Sequence, residues 1–256
     1  MKTKFLGTAA NGGLPQLDCG CLNCVAASKK KNLRRLRSSL LVRTGDKKIV
    51  LDCGPDFRQQ MLTEGLRLQE IDLIVVTHLH WDHFGGLMEL AGGKPSSVPV
   101  LMSKKNKKIL MMRDEIKFLV DAKFVRLVSE IEGKGIGVEL FEVPHDPNFP
   151  TDAVIVHGDN KQVWYSPDVA KITGEMLDRM EAVDQIIFDA TFLNEDNFPA
   201  KKFNHITIEE SAPVLVKLKK EIIFSHINHS EDLVKMERFL DRFNFVLAKD
   251  GMEIDD

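Results

Sequence analysis

The sequence predicts a single α/β domain that spans residues 1–256. Short apolar segments typical of buried strands alternate along the chain with turns and with a few amphipathic helices. Polar residues of the types that bind metals stand directly after many of these strands. The composition, 43% apolar and 29% charged, is that of a globular protein whose length allows one large core.

The predicted strands are short apolar or alternating runs bounded by Gly, Pro, Asn or Asp. They are residues 2–8, 38–43, 48–51, 71–76, 98–102, 124–128, 138–143, 153–157, 162–166, 186–190 and 221–224. Residues 245–248 and 251–254 are expected to close the chain as a strand or an edge hairpin. After residue 124 we expect short strands joined by turns rather than by long helices.

The predicted helices carry apolar residues at helical spacing, at 56–64, from 85, 107–114, after Thr207 and at 231–243. The first is expected to begin at Asp56 as an acidic N-cap and to stop at Gly65. Thr207, with Glu210 three residues on, matches a capping box. These signals place the helices between the predicted strands.

The net charge of −3 provides no global basic field to hold nucleic acid or an anionic membrane. The chain begins as a strand without an apolar leader, and no apolar run reaches membrane-spanning length. We therefore expect a cytoplasmic protein with no stable nucleic acid partner and no membrane association; a homodimer is compatible with the sequence. The basic run at 29–37 is either a solvated face or a funnel for an anionic substrate, and Arg37 is its member expected to face inward.

One stretch, residues 77–86, concentrates candidate ligands directly after the predicted strand 71–76. His78, His80, Asp82 and His83 fall within six positions. Imidazole and carboxylate groups suit zinc, manganese or iron, and one turn can point side chains at two neighbouring metal positions. This stretch therefore predicts half of a two-metal site.

A second cluster combines Cys19, Cys21 and Cys24, while Cys53 stands alone. Such short spacings are poor for disulfides and good for metal binding. Three thiolates leave one position of a tetrahedral zinc open, so a distant Cys or His should complete the site. The alternative is three reduced loop thiols. Cys53 is expected to be a small core residue.

Further candidate ligands follow other predicted strands, and each alone fits a polar core group or a turn cap equally well. They are Asp52, His145, Asp168, Asp189 and His226, and His205 stands two residues before the capping Thr207. Because loops at one end of a sheet converge in space, we expect these residues to build one site. Asp52 is expected to orient a histidine through a hydrogen bond.

The motif His78-x-His80-x-Asp82-His83, followed in order by His145, Asp168 and His226, resembles the metallo-β-lactamase superfamily over nearly the whole chain. The resemblance implies an αββα sandwich, in which two facing mixed sheets are flanked by helices. It also implies a dinuclear metal site along one edge of the sandwich.

A closer resemblance is to the phosphoribosyl cyclic phosphate phosphodiesterase family of phosphonate degradation. The residues that carry it are Leu6-Gly7-Thr8, the cysteine cluster, Asp189-Ala190-Thr191, Asn204-His205, His226 with His229, and the ending 250–254. This resemblance implies that His229 is the fourth ligand of a structural Zn²⁺.

The same resemblance assigns the remaining roles. It implies that His78, His80 and His145 bind one divalent ion, that Asp82, His83 and His226 bind another, and that Asp168 bridges both. The two ions would be Mn²⁺ or Zn²⁺. His205 and Asp82 would be catalytic, His205 as the proton donor, with Asp52 and Asp189 supporting the ligands. A hydroxide between the metals would then attack the phosphorus of a phosphoribosyl 1,2-cyclic phosphate or a nucleoside cyclic phosphate.

Three alternatives stay open. Gly12-Gly13-x-Pro15-Gln16 and His226-Ile227-Asn228 also resemble a protein of pyrroloquinoline quinone biosynthesis, although that branch departs from the full histidine motif. The tRNA 3′-processing endonucleases share the metal ligands but use an arm that nothing here resembles. A non-catalytic metal-binding protein is the third. Trp81 fits either a pocket or a core position.

Overall fold

The computed structural model describes residues 1–92, 98–130, 137–196 and 199–255. The strands are β1 (Lys2–Gly7), β2 (Ser39–Thr44), β3 (Lys47–Leu51), β4 (Leu73–Val75), β5 (Val98–Leu101), β6 (Val125–Val128), β7 (Gly137–Val143), β8 (Thr151–His157), β9 (Gln162–Ser166), β10 (Gln185–Asp189), β11 (Glu221–Ser225), β12 (Val246–Leu247) and β13 (Glu253–Ile254).

The α-helices are α1 (Leu22–Lys29), α2 (Phe57–Glu64), α3 (Trp81–Phe84), α4 (Lys104–Leu110), α5 (Asp114–Asp121), α6 (Gly174–Glu181), α7 (Ile208–Leu215) and α8 (Leu233–Asp241). Turns of 3-10 helix cover Lys31–Leu33, Leu68–Glu70, Gly85–Gly92, Ala200–Phe203 and Val216–Leu218. Among the described residues, none of these helices combines the length and apolar character needed to cross a bilayer.

The strands form two mixed sheets, ordered β13-β1-β2-β3-β4-β5-β6 and β12-β11-β10-β9-β8-β7. Strands β3 to β6 are parallel to one another, and so are β9 to β12. The antiparallel pairs β7–β8 and β8–β9 leave β7 pointing the same way as β9. The carboxyl ends of these parallel strands therefore lie at one edge of each sheet.

Three apolar layers confirm the αββα sandwich. One layer lies between the sheets and includes Phe5, Leu40 and Tyr165. The other two lie between each sheet and its helices. Because the central strands are buried on both faces, they read as continuous apolar runs rather than as alternating ones. Cys53 is fully buried in one of the outer layers, as predicted.

The chain end does not form an edge hairpin, so that alternative was wrong. β12 joins the second sheet through β11, whereas β13 pairs with β1 in the first. The chain passes from the second sheet to the first at Asp250. The carboxylate of this residue accepts hydrogen bonds from the Thr8 hydroxyl and the Leu36 amide, both at 2.6 Å, and so fixes the path of the chain. The C-terminal segment therefore ties the two sheets together.

Two helix predictions were also incomplete. The segment predicted as one helix at 107–114 belongs to two helices, since α4 begins after the Ser103 cap and α5 starts at Asp114. Helix α6 was not predicted, although Met176 and Met180 form a buried stripe at helical spacing after the Thr173 cap. Helix α2 begins after Asp56 as predicted, but that carboxylate binds Arg37 instead of capping the helix. The capping box of Thr207 and Glu210 is confirmed.

Candidate dinuclear metal centre

The predicted ligands converge at the edge where the parallel strands of both sheets end. Asp52 follows β3, His78 to His83 follow β4, and His145 follows β7. Asp168 follows β9 and His226 follows β11. Each strand therefore delivers its polar residue to the same place, which is why residues far apart in sequence form one cluster.

The first donor group consists of His78, His80, His145 and Asp168, whose ligand atoms all lie within 4.8 Å of one another. His80 Nδ1 lies 2.8 Å from His78 Nε2 and 3.3 Å from His145 Nε2. His145 Nε2 is 3.5 Å from Asp168 Oδ1. Three imidazole nitrogens and one carboxylate oxygen therefore face one point.

The second donor group consists of Asp82, His83 and His226. Asp82 Oδ2 lies 3.2 Å from His83 Nε2 and 3.4 Å from His226 Nε2. Asp168 Oδ2 lies 3.2 Å and 3.5 Å from the same two nitrogens. Asp168 thus presents one oxygen to each donor group.

The outer nitrogen of each imidazole is held by a hydrogen bond. Thr77 donates its hydroxyl to Asp52, so it accepts from His78 Nδ1 at 3.0 Å. Thr191 donates to Asp189 and accepts from His226 Nδ1 at 2.8 Å. The remaining pairs are His83 Nδ1 with Asp52 at 2.7 Å, His145 Nδ1 with the Asn204 carbonyl at 2.8 Å, and His80 Nε2 with Asp146 at 3.1 Å.

This arrangement fits metal binding, because the nitrogen that faces the site is left without a proton when the outer nitrogen donates. The 2.8 Å approach of His78 to His80 then sets two lone pairs against each other, which a cation between them would relieve. His83 Nε2 and Asp168 Oδ2 are buried without a hydrogen-bond partner. Buried polar atoms of this kind are rare unless a ligand satisfies them.

The electrostatics lead to the same conclusion. Burial, together with the neighbouring His83, holds the pKa of His78 well below its usual range. Burial opposes ionisation of Asp168, but the imidazoles of His226, His83 and His78 outweigh it and lower its pKa. Burial also opposes protonation of His83, yet the carboxylates of Asp82, Asp52 and Asp168 raise its pKa well above the usual range. The site therefore attracts positive charge.

Asp52 and Asp189 have equivalent places behind the two halves of the site. Asp52 accepts from the Thr77 amide and hydroxyl, from His83 and from the Tyr165 hydroxyl. Asp189 accepts from the Thr191 amide and hydroxyl, from the Val169 amide and from His205. The supporting hydroxyls of Thr77, Thr191 and Tyr165 were not among the predicted site residues.

Two glycines allow the ligand-bearing helix α3 to approach the end of β3. A Cβ at Gly54 would overlap the carbonyl oxygen of Asp82, and a Cβ at Gly86 would overlap that of Gly54. The Cys53 amide donates to the His83 carbonyl at 2.8 Å. This contact fixes the turn that carries Asp82 and His83.

His205 lies beside the donor groups, with Nε2 at 3.7 Å from Asp168 Oδ1. Its Nδ1 donates to Asp189 at 2.7 Å. Burial alone would lower the pKa of His205, but the carboxylates of Asp189, Asp168 and Asp82 outweigh burial and raise it. The ring can therefore carry a proton at the edge of the site.

The three cysteines of the cluster lie together, and the ring of His229 faces their sulfurs. The Nδ1 atom of His229 lies 3.6 Å from the sulfurs of Cys19 and Cys21 and 3.5 Å from that of Cys24. Zn–S and Zn–N bonds of about 2.3 and 2.0–2.1 Å give a tetrahedral edge of about 3.5 Å, which these distances match. The Asn23 side chain donates to the His229 carbonyl at 3.0 Å and steadies the loop.

A cavity of about 730 Å³ opens over the donor groups. Besides site residues, it is lined by Asn11, Gln16, Leu17, Arg37, Lys202 and Phe203. Arg37 reaches the cavity as predicted, although Arg35 is the more buried of the two. Trp81 is half-exposed and lies against the Arg37 guanidinium, so a core role is excluded.

Comparison with known proteins defines the class. Residues 47–227, more than half of the chain, match the beta-lactamase superfamily domain. The chain therefore belongs to this superfamily, most of whose members are metal-dependent hydrolases. It is 26% identical to the coenzyme PQQ synthesis protein B of Methylorubrum extorquens, with 100% of both chains covered. A protein with the same name from Ruegeria pomeroyi is 28% identical over 99% of both.

Solved structures agree with this class. The Zn²⁺-bound PqqB from Methylobacterium extorquens superimposes with a TM-score of 0.84 at 25% identity over 100% of both chains. A diphosphatase from the PhnP family superimposes with a TM-score of 0.80 at 26% identity, over 100% of this chain and 97% of the diphosphatase. The short form of human tRNase Z shares the fold, with a TM-score of 0.68 and a sequence identity of 19%.

The Asp52→Asn variant is expected to bind metal about 10–100-fold more weakly, the usual effect of removing a residue that orients a ligand. Asp52 has a φ of +62°, which Asn tolerates, so the backbone need not change. The substitution replaces one carboxylate oxygen by an NH₂ group, which must face a donor from Thr77 or His83. Metal titration followed by calorimetry measures the change, with Asp18→Asn, at an exposed position that also has a positive φ, as the control.

Proposed function

We propose that the chain is a metal-dependent phosphodiesterase that hydrolyses small cyclic phosphodiesters at this edge of the sandwich. The observation that carries the proposal is the placement of Asp168, with one oxygen facing each donor group, next to His205. Two donor groups joined by the carboxylate of Asp168, with the protonated ring of His205 beside them, suit in-line displacement at phosphorus better than other chemistry.

In this proposal His78, His80 and His145 would hold one divalent ion, Asp82, His83 and His226 a second, and Asp168 both. The ions would be Mn²⁺ or Zn²⁺, and a structural Zn²⁺ would occupy the Cys19, Cys21, Cys24 and His229 site. When bound, the two ions would activate a water and neutralise charge on the phosphoryl oxygens.

The chain's own residues supply the proton for the leaving group. Water adds to phosphorus and loses one proton to solvent, one ester P–O bond breaks, and the departing oxygen takes a proton from His205 Nε2. A proton from solvent then restores His205. Asp189 holds the imidazole through Nδ1, which aims Nε2 at Asp168 and the cavity. The charge of Asp189 also stabilises the protonated ring until the transfer.

A second candidate function is that of the PQQ synthesis relatives, which match this chain over its full length. Under that alternative the site would hold metal without hydrolysing phosphodiesters. The diphosphatase neighbour from the PhnP family supports phosphoryl chemistry instead. The complete set of donors around Asp168 favours the hydrolytic proposal.

A substrate panel tests the proposal. The purified protein, with and without added Mn²⁺, is assayed on bis-p-nitrophenyl phosphate, a cyclic ribose phosphate and a β-lactam. We expect both phosphodiesters to be hydrolysed and the β-lactam to stay intact. If the protein turns over no phosphodiester while both metal positions are loaded, the proposal is wrong.

The His205→Gln variant is expected to lose about 10²–10⁴-fold in kcat on a cyclic ribose phosphate, the usual contribution of a general acid. On bis-p-nitrophenyl phosphate the loss should be under about tenfold, because p-nitrophenolate departs without a proton. Rates on both substrates give the comparison, and His157→Gln, at the end of β8, is the matched control. Equal losses on the two substrates would contradict the acid role.

A further inference from the structure

Two of the three clustered cysteines form a C-x-x-C pair at the beginning of α1. Cys21 is the N-cap of this helix, and Cys24 is its third residue. The Cys24 amide donates to the Cys21 sulfur at 3.5 Å. A C-x-x-C pair at a helix N-terminus is also the arrangement of redox-active dithiols, because the backbone N–H groups there stabilise a thiolate. The pair therefore fits a second use besides metal binding.

The positions of the sulfurs allow a bond between them. All four cysteines are free, and the sulfurs of Cys19, Cys21 and Cys24 lie within 4.8 Å of one another. Rotation of the Cys21 and Cys24 side chains brings their sulfurs to the distance of about 2.0 Å that a disulfide needs. So short a spacing is poor for a permanent disulfide, because strained bonds are readily reduced. The pair therefore suits a reversible bond.

Exposure gives the two thiols different roles. Cys21 is half-buried, whereas Cys24 is only 2% exposed. An oxidant in the solvent therefore meets Cys21 first, and Cys24 is placed to react with the oxidised Cys21. Cys19 is half-buried too, but it stands in the loop before α1, away from the helix N-terminus. Cys53 is fully buried and out of reach of the solvent.

We infer that Cys21 and Cys24 are a redox switch that hydrogen peroxide closes into a disulfide. The Cys21 thiolate attacks one oxygen of the peroxide, the O–O bond breaks, and the hydroxide that leaves takes a proton from solvent. The Cys24 sulfur then attacks the sulfur of the Cys21 sulfenic acid, the S–O bond breaks, and the hydroxyl leaves as water with the proton of Cys24. The two sulfurs lose two electrons, which reduce the peroxide to water.

The disulfide would remove two donors from the proposed zinc site. The sulfurs of Cys21 and Cys24 lie 3.6 Å and 3.5 Å from His229 Nδ1, and Cys19 and His229 alone do not complete a tetrahedral site. Because the cluster joins the N-terminal loop to His229, oxidation frees this loop. His229 also lines the cavity over the donor groups, so the state of the dithiol affects the cavity.

Peptide mapping after peroxide treatment tests the inference. The zinc-loaded protein is treated with hydrogen peroxide, unfolded and alkylated, and its cysteine peptides are sequenced by mass spectrometry. We expect a disulfide between Cys21 and Cys24, with Cys19 and Cys53 alkylated. Zinc binding at the cluster should weaken at least about 100-fold, since two of four donors are lost. Reduced glutathione, which leaves structural disulfides intact, should restore both thiols and zinc binding.

Two variants identify the reacting pair. Cys24→Ser should stop at the Cys21 sulfenic acid, which dimedone labels, or pass on to a sulfinic acid that glutathione does not reduce. Cys19→Ser should still form the disulfide between Cys21 and Cys24, although it binds zinc more weakly. A wild-type disulfide that includes Cys19, thiols that resist peroxide, or direct conversion to sulfinic acids would overturn the inference. None of these readouts requires turnover, so the inference and the proposed function can fail separately.

Discussion

The Asp168→Asn variant is expected to lose on the order of 10³-fold in kcat/KM on a cyclic phosphodiester. Asn has the same shape, but it offers one oxygen and one NH₂ where Asp168 offers an oxygen to each donor group. Its NH₂ must then face either the nitrogen of His145 or those of His83 and His226. Lewis-acid stabilisation is worth several kcal/mol, and about 1.4 kcal/mol corresponds to tenfold in rate.

Steady-state kinetics and elemental analysis on the same samples measure the effect of Asp168→Asn. We expect fewer than two ions at the centre together with the loss of rate. Asp159→Asn, at an exposed turn between β8 and β9, is the matched control and should resemble the wild type. If the Asp168→Asn protein kept its full metal content and a rate within about tenfold of the wild type, Asp168 would not join the two donor groups.

The Cys21→Ser variant is expected to bind the structural zinc at least about 100-fold more weakly and to lose about 2.7 kcal/mol of stability under zinc concentrations that saturate the wild type. The substitution isolates the ligand role, because Cys21 is also the N-cap of α1, where Ser is a preferred residue. Any loss of stability is therefore due to the sulfur that faces His229.

The effect of Cys21→Ser on activity should be indirect. The cluster joins the N-terminal loop to His229, three residues after His226, so its loss loosens a ligand through its neighbour. Gln16, Leu17 and His229 also line the cavity, and we expect KM to rise more than kcat falls. Thermal unfolding, zinc content and kinetics measure these effects, with Asp18→Asn as the control from the same loop. Full zinc content in Cys21→Ser would contradict the predicted cluster.

Much of the candidate site could be predicted from the sequence, because residues of metal-binding types recur directly after strands, whose ends meet at one edge of the sheets. The HxHxDH stretch alone indicated two metal positions. The spacing of Cys19, Cys21 and Cys24 required a distant partner, and His229 lies at that place. The roles of these residues as ligands stay predictions.

The supporting residues could not be predicted in the same way. Thr77 and Thr191 are ordinary strand-end threonines in the sequence, and only the fold shows that each joins an aspartate to a histidine. Tyr165 reaches Asp52 from the other sheet, across the sandwich. Such contacts depend on how the sheets face each other, which local patterns do not encode.

The errors in the fold have two different causes. Helix α6 could have been predicted, because Met176 and Met180 lie at helical spacing after the Thr173 cap. The last two strands are adjacent in sequence and were expected to form a strand or an edge hairpin, but the hydrogen bonds of Asp250 direct the chain across to the first sheet. Tertiary contacts override the local preference in this segment.

The most direct test combines metal content with turnover on one sample. The protein is loaded with Mn²⁺ or Zn²⁺, freed of unbound metal, analysed for metal per chain, and assayed on a ribose cyclic phosphate. The proposed sites predict two ions at the Asp168 centre and one at the Cys19–Cys21–Cys24–His229 site, together with hydrolysis of the cyclic phosphodiester. A fully loaded protein that leaves every phosphodiester intact would contradict the proposed function.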